Sequence, residues 1–245
     1  MRLIIRFAIM IALIVAVAPA PASGKRVIVD VGIKTMTGVW TSTHTRFIYE
    51  RHLDQTVTTP LAEKHARIGV LYGPQAVAVY GMWYASGELL FGNYSYSTGG
   101  SSKLKWRSID IGIAQRFPGG TVRATVGNSW FNADYTGLDP AHFGDHIVSE
   151  LMLRVGVNSA PHAGFRYGFE LGLPVPLITN FFPENYMADN GGLVDFQLSF
   201  GMRVRQTPFH WDVGYGQFLA QYPFTENTYL ESMRLGLILK LGYEW

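Results

Sequence analysis

Apolar and polar residues alternate strictly, with the two-residue period of a β-strand, in segment after segment beyond residue 25. The C-terminal segment shows this best. Leu235, Leu237, Leu239, Leu241, Tyr243 and Trp245 share one face, and Gly236, Ile238, Lys240, Gly242 and Glu244 the other, with Ile238 the one apolar residue among them. Val194 to Arg205, Phe209 to Gly216, Gly164 to Leu173 and Ile147 to Asn158 repeat the pattern, and shorter versions run around Ile109–Ala114 and Val122–Gly127. Two further strands are expected at about 75–85 and 88–97, flanking Ser86-Gly87, and a first one at about 26–36. Short connections are expected near residues 86, 119, 160 and 207. Longer ones fall over 37–74, 98–103, 132–146, 176–192 and 221–228, so short and long ends alternate as in up-and-down barrels. The reading is an all-β fold, an antiparallel transmembrane β-barrel of about ten strands.

The stretch 38–73 is the least regular. It is rich in charge, and Thr59-Pro60-Leu61-Ala62-Glu63 reads as a helix start with Thr59 as cap, inside a long outer loop or a plug. Strands at 46–50 and 67–72 would raise the count to twelve, whereas leaving the first two strands outside the barrel would lower it to eight.

Alternation does not say which face is inside, since a soluble barrel of lipocalin type would turn the apolar row inward. Three features favour an apolar exterior. The polar rows mix glycine with charges of both signs, as in Gly164-Arg166-Gly168-Glu170-Gly172, unlike a solvated surface. The apolar rows lack charge at their centres, where Arg or Lys facing lipid would cost about 2–4 kcal/mol. Charges such as Lys105, Arg107 and Glu231 reach that face near strand ends. Aromatic residues gather at both ends, with Phe117, Phe165, Tyr167, Phe209, Trp211 and Tyr243 near the short turns and Trp106, Trp130 and Tyr229 near the long loops, as headgroup girdles require.

Composition sharpens this picture. Only 16% of residues are charged, whereas 14% are aromatic and 27 are glycine. Cysteine is absent, so the fold uses neither disulfides nor thiolate metal sites. Arg2 and Arg6, an apolar run over 7–18 and the small-residue stretch 19–23 form the pattern of a secretory signal peptide, with cleavage expected after Ala22. The domain reading is therefore a signal peptide over 1–22 and a single barrel domain over 23–245. Removing the two arginines leaves 18 basic against 18 acidic residues, which gives no support for a nucleic-acid partner.

The C-terminal positions Leu237, Leu239, Leu241, Tyr243 and Trp245, apolar at every second residue and ending on an aromatic, resemble the assembly signal of Gram-negative outer-membrane barrels. That class usually ends in phenylalanine. The resemblance implies location in the cell outer membrane, with outer-membrane lipid and lipopolysaccharide, the barrel assembly machinery and periplasmic chaperones as partners.

Candidate chemistry is sparse. Asp110, Glu150, Arg154, Arg166, Glu170, Asp195, Arg203, Arg205 and Asp212 are expected to line the lumen, as interior ion pairs or as a polar pore wall. No His-x-Ser pair of a barrel lipid hydrolase occurs; His146 with Ser149 and Glu150 is the nearest arrangement, and His210-x-Asp212 shares a face. No catalytic, cofactor or metal residue is assigned. The expected function is a non-catalytic integral outer-membrane barrel, acting as narrow pore, ligand-binding or structural barrel. The alternatives are a lipid A or phospholipid acyl hydrolase or transferase, and a surface adhesion protein acting through its outer loops.

Overall fold

The structure is a computed structural model that describes residues 27–50, 55–65, 68–96, 99–160, 163–175, 192–225 and 228–244. Residues 1–26, where the signal peptide is expected, Trp245 and most of the 176–192 connection, with Phe181, Phe182 and Tyr186, lie outside the described residues.

Eleven strand segments follow in chain order: β1 Val27–Glu50, β2 Gln55–His65, β3 Gly69–Tyr80, β4 Trp83–Ser95, β5 Ser101–Phe117, β6 Gly120–Thr136, β7 His146–Ser159, β8 Phe165–Pro174, β9 Gly192–Arg203, β10 Phe209–Thr225 and β11 Thr228–Glu244. Each pairs antiparallel with its neighbours, and β11 closes onto β1 from Asp30↔Glu244 to Arg46↔Thr228. On its other side β1 pairs with β3 over Val27–Gly38 and with β2 over Thr41–Glu50. β2 and β3 are thus consecutive parts of one descending stave, and the closed barrel has ten staves. Pairing of β11 with β1 closes the wall, as a wall facing lipid requires because hydrocarbon offers no hydrogen-bond partner; β2, toward the long-loop end, pairs with β1 alone among the described residues.

The 38–73 stretch differs from expectation. No helix starts at Thr59; residues 55–65 are strand, and β1 runs on to Glu50. Both segments prolong existing staves, so the count stays at ten. The first short turn also moves: Tyr80 pairs with Trp83 around Gly81-Met82, while Ser86-Gly87 lies within β4. Gly81 has φ +60°, the left-handed conformation that a two-residue hairpin demands and glycine adopts without strain. The other expected short turns fall between β5 and β6, β7 and β8, and β9 and β10.

The outer wall of the lower barrel, at the short-turn end, is apolar. Val31, Ile33, Val39, Ile109, Ile111, Val126, Leu151, Phe200, Val213, Leu237, Leu239 and Leu241 all project outward and exposed. Toward the long-loop end the polarity inverts. On β5, Ile109 and Ile111 face out and Asp110 faces in, yet four residues earlier Lys103, Lys105 and Arg107 face out while Leu104 and Trp106 are buried within. On β1 the outward row changes from Val39 to Thr41 and Thr43, and the inward row gains Trp40. On β6, Asp134 is exposed opposite the buried Phe131 and Ala133. A lower section solvated by lipid therefore carries an upper collar built like a soluble barrel, with its core inside. Trp106 consequently points into the lumen rather than joining the outer aromatic girdle; Trp130, across the ladder from Arg107, remains on the outer wall.

Candidate functional site

The lumen is filled in layers. Near the short-turn end, alternation brings polar residues of most strands inward, and the following pair. Arg154 of β7 donates to Asp110 of β5 and, at 2.8 Å, to Asp195 of β9, with Glu170 of β8 at 3.8 Å. Arg123 of β6 pairs with Glu170. Arg166 reaches Asp30 at 3.3 Å, Asp212 at 3.1 Å and Glu244 at 3.0 Å, and Arg203 meets Glu244 at 2.7 Å. Lys34 donates to Glu88 at 2.6 Å and to the Gln197 side-chain Oε1 at 2.9 Å. Charges withdrawn from bulk water need partners of this kind. Among the nine residues expected to line the lumen, Asp110, Arg154, Arg166, Glu170, Asp195, Arg203 and Asp212 converge in these pairs. Glu150 faces inward higher up, across the ladder from the buried Ser129. Arg205 does not line the lumen: β9 ends at Arg203, and Arg205 is exposed in the turn before β10, because the pleat stops two residues earlier than the alternation suggests.

These charges surround a recess of about 170 Å³ that reaches the short-turn rim at Ile28, Ser159 and Glu244. His210 is part of its wall network, 2.9 Å from Asp30 through Nε2 and 3.5 Å from Asp212 through Nδ1. Its two carboxylates are themselves held by Arg166, so the arrangement is an ion-pair lattice, and no group of three metal-binding side chains occurs among the described residues. Ser149 and Glu150 are adjacent in a strand and project to opposite faces, so they do not converge on one site.

Above the recess an apolar layer crosses the lumen. Trp40 packs against Phe131, Phe218 and Tyr94 with ring centroids 5.4, 5.5 and 5.9 Å apart, and Trp106 meets Phe218 at 5.3 Å. Met36, Leu71, Leu90, Met152, Leu193 and Ile238 complete it. Space for these side chains comes from a row of glycines on adjacent strands, Gly38, Gly236 and Gly216. A Cβ on Gly216 would lie 2.7 Å from Ile238 and 2.9 Å from Met36. Ile238, the one apolar residue on the polar face of β11, is thereby explained, for it is a member of the seal.

Over that layer sits a belt of hydroxyls. Trp40 Nε1 donates to Ser42 Oγ at 2.9 Å; Tyr135 lies 2.9 Å from Ser42 and 3.2 Å from Ser232, and Tyr96 donates to Ser102 at 3.1 Å. Higher still, clear of the apolar belt, His44 of β1 meets His142 of the β6–β7 loop, Nδ1 to Nδ1, at 3.0 Å. One ring must donate and the other accept, so at least one ring must be neutral, and a doubly protonated pair loses the contact. Burial first, then His142, then Arg46 hold the His44 pKa below its ordinary value. Because the folded value is depressed, the contact is intact above the ordinary histidine pKa of about 6.5 and is lost as pH falls toward and through the lowered value. Amide hydrogen exchange at residues 141–143 is expected to accelerate several-fold between pH 7.5 and pH 5 beyond its intrinsic pH dependence. His142→Ala should show the fast behaviour at both pH values; a loop equally protected throughout would exclude the effect.

Alternation placed the lower lumen residues, but the seal was hidden from it. Leu104, Trp106 and Phe131 have the same two-residue period as the lipid-facing rows, and only the opposed Lys103, Lys105 and Arg107 reveal that the faces have exchanged.

No family model matches the sequence, and no curated protein matches it. Among solved structures the chain is similar to the outer membrane protease OmpT from Escherichia coli, with TM-score 0.56 at 6% identity, covering 89% of this chain and 97% of that one. The attachment invasion locus protein Ail of Yersinia pestis is aligned with TM-score 0.31 at 10% identity, over 87% of this chain and 99% of that one. At 6% identity the likeness to OmpT is one of fold, and the fold of this chain is the closed antiparallel β-barrel of outer-membrane proteins.

Proposed function

We propose that this chain is an exported, non-catalytic integral protein of the outer membrane. In this reading its barrel is sealed against conduction and offers a blind, charge-lined recess on the periplasmic side to a small polar ligand. The observation that carries the reading is the apolar layer of Trp40, Trp106, Phe131 and Phe218 across the lumen. Ions would have to cross packed aromatic rings there, past the buried Arg234, which lies across the ladders from Trp40 and Phe218, donates through Nε to the Tyr94 hydroxyl at 3.0 Å and adds a fixed positive charge to the barrier. The recess supports a ligand of roughly amino-acid size, and its mixture of fixed charges suits a zwitterion better than a simple anion. The apolar wall and the C-terminal alternation support insertion by the barrel assembly machinery, with delivery by periplasmic chaperones.

Planar-bilayer recording tests the seal. The folded wild-type protein should give no conductance steps above background, while Phe131→Ala combined with Phe218→Ala should produce small, resolvable ones. Steady channels from the wild type would overturn the reading. Heat-modifiable migration of the outer-membrane fraction on a gel reports location and folding independently of conductance.

A further inference from the structure

Lys103, Lys105 and Arg107 are outward-facing bases in a row on one strand, and on the outer wall of β3 to β11 no other described strand residue is an outward base. Outward acids near the same level, Glu63 and Glu231, lie on β2 and β11, both across from Thr43. The basic strip stands where the polarity of the wall inverts, directly above Ile109 and Ile111. Asp134 lies across the ladder from Lys103, which leaves Lys105 and Arg107 as the uncompensated pair. Both are braced on aromatic faces: the Arg107 guanidinium sits 4.0 Å from the Trp130 ring centroid, and the Lys105 ammonium 5.6 Å from that of Phe91. Bases at the lipid boundary are costly facing hydrocarbon and favourable facing anionic headgroups, so their concentration on one strand is informative.

A second feature meets this strip from below. An open groove of about 620 Å³ runs down the outer wall between Ile33, Pro74, Ala76, Leu89 and Ile109, and Arg107 borders it. The groove exists because Ala76 and Gly87, paired across β3 and β4, carry almost no side chain between bulky neighbours. Its exposed lining is apolar apart from the charged border, as an acyl chain requires.

We infer that this face of the barrel is a binding site for one phosphorylated lipid of the outer leaflet. Lys105 and Arg107 hold the headgroup phosphate, and the Gly87 groove takes an acyl chain. The inference rests on the outer-membrane reading above and adds the lipid class and the residues. The braced side chains favour it further, because stacking on Trp130 and Phe91 restricts the two cations before the anion arrives.

Native mass spectrometry of the folded full-length protein in detergent, titrated with bisphosphorylated hexa-acyl lipid A, provides the test. Lys105→Gln with Arg107→Gln should weaken binding at least about tenfold, and should leave binding of the dephosphorylated lipid unchanged. Gly87→Phe, whose Cβ would meet only Ser108 O at an ordinary 3.5 Å, should weaken both lipids by filling the groove. Equal retention of lipid A by wild type and the double variant would overturn the site, as would competition by inorganic phosphate alone at the same concentration. Heat-modifiable migration of each variant distinguishes a lost site from a lost fold, and a protein absent from the outer-membrane fraction would refute the location itself.

Discussion

Leu239→Arg is expected to abolish accumulation of the folded barrel in the membrane, while Ser86→Arg is tolerated. Leu239 is 40% exposed on the outer wall, flanked on β11 by Leu237 and Leu241 and across the ladders by Thr35 and Val213. A guanidinium at that depth faces hydrocarbon with no counter-charge, at a cost of about 2–4 kcal/mol. Net barrel stability is itself only on the order of 5–15 kcal/mol, and the same strand carries the C-terminal alternation that resembles an assembly signal. Ser86 points into the recess across the ladder from Asp110, where an added cation finds water and carboxylates. Ile238, although on the inner face, is no equivalent control: it is 1% exposed within the seal, and arginine there would be both oversized and unpaired. The check is the heat-shifted band on a gel of outer membranes. Equal yields of the Leu239 and Ser86 variants would mean that the outer wall is not solvated by lipid.

The lower barrel was legible in the sequence because one physical rule governs it. Lipid outside and paired charge inside force a two-residue alternation, displayed by Val194–Arg203 and, with Ile238 as its one exception, by Leu235–Glu244. The collar was not legible, because there the rule reverses sign. Thr41-Ser42-Thr43-His44-Thr45 has no apolar row at all: Thr41 and Thr43 are partly exposed on the outer face, and the buried Ser42 has its hydroxyl satisfied by Trp40 and by the distant Tyr135. Such a segment resembles a loop until its partners are known. The turn at Gly81-Met82 was missed for a similar reason, since Ser86-Gly87 carries the stronger turn composition, and only the register of Ala76↔Gly87 and Gly87↔Ile109 shows that Gly87 serves the wall. Within the candidate site, parity alone gave the inward direction of Asp110, Arg154 and Asp195, whereas which acid meets which base depends on strand order and shear, neither of which alternation encodes.

Arg154→Met should unfold or severely loosen the lower barrel, and restoring charge balance should recover it. The Arg154 side chain is 3% exposed and is shared by Asp110 and Asp195, each 4% exposed. Removing the cation strands two carboxylates in a confined lumen, and breaking a buried pair in this way costs about 3–5 kcal/mol. Arg154→Lys keeps the charge but cannot donate to both carboxylates and to Ser129 in one plane, so an intermediate loss is expected. If the penalty comes from stranded charge rather than from lost packing, then Arg154→Met combined with Asp110→Asn and Asp195→Asn should regain most of the stability, since neutral amides need no counter-ion. Urea titration of the protein refolded in lipid vesicles, followed by the heat-shifted band, measures all four forms. A triple variant as unstable as Arg154→Met alone would show instead that the guanidinium acts chiefly as a space-filling strut between β5, β7 and β9, and the interior ion pairs would lose their claim to hold the staves in register.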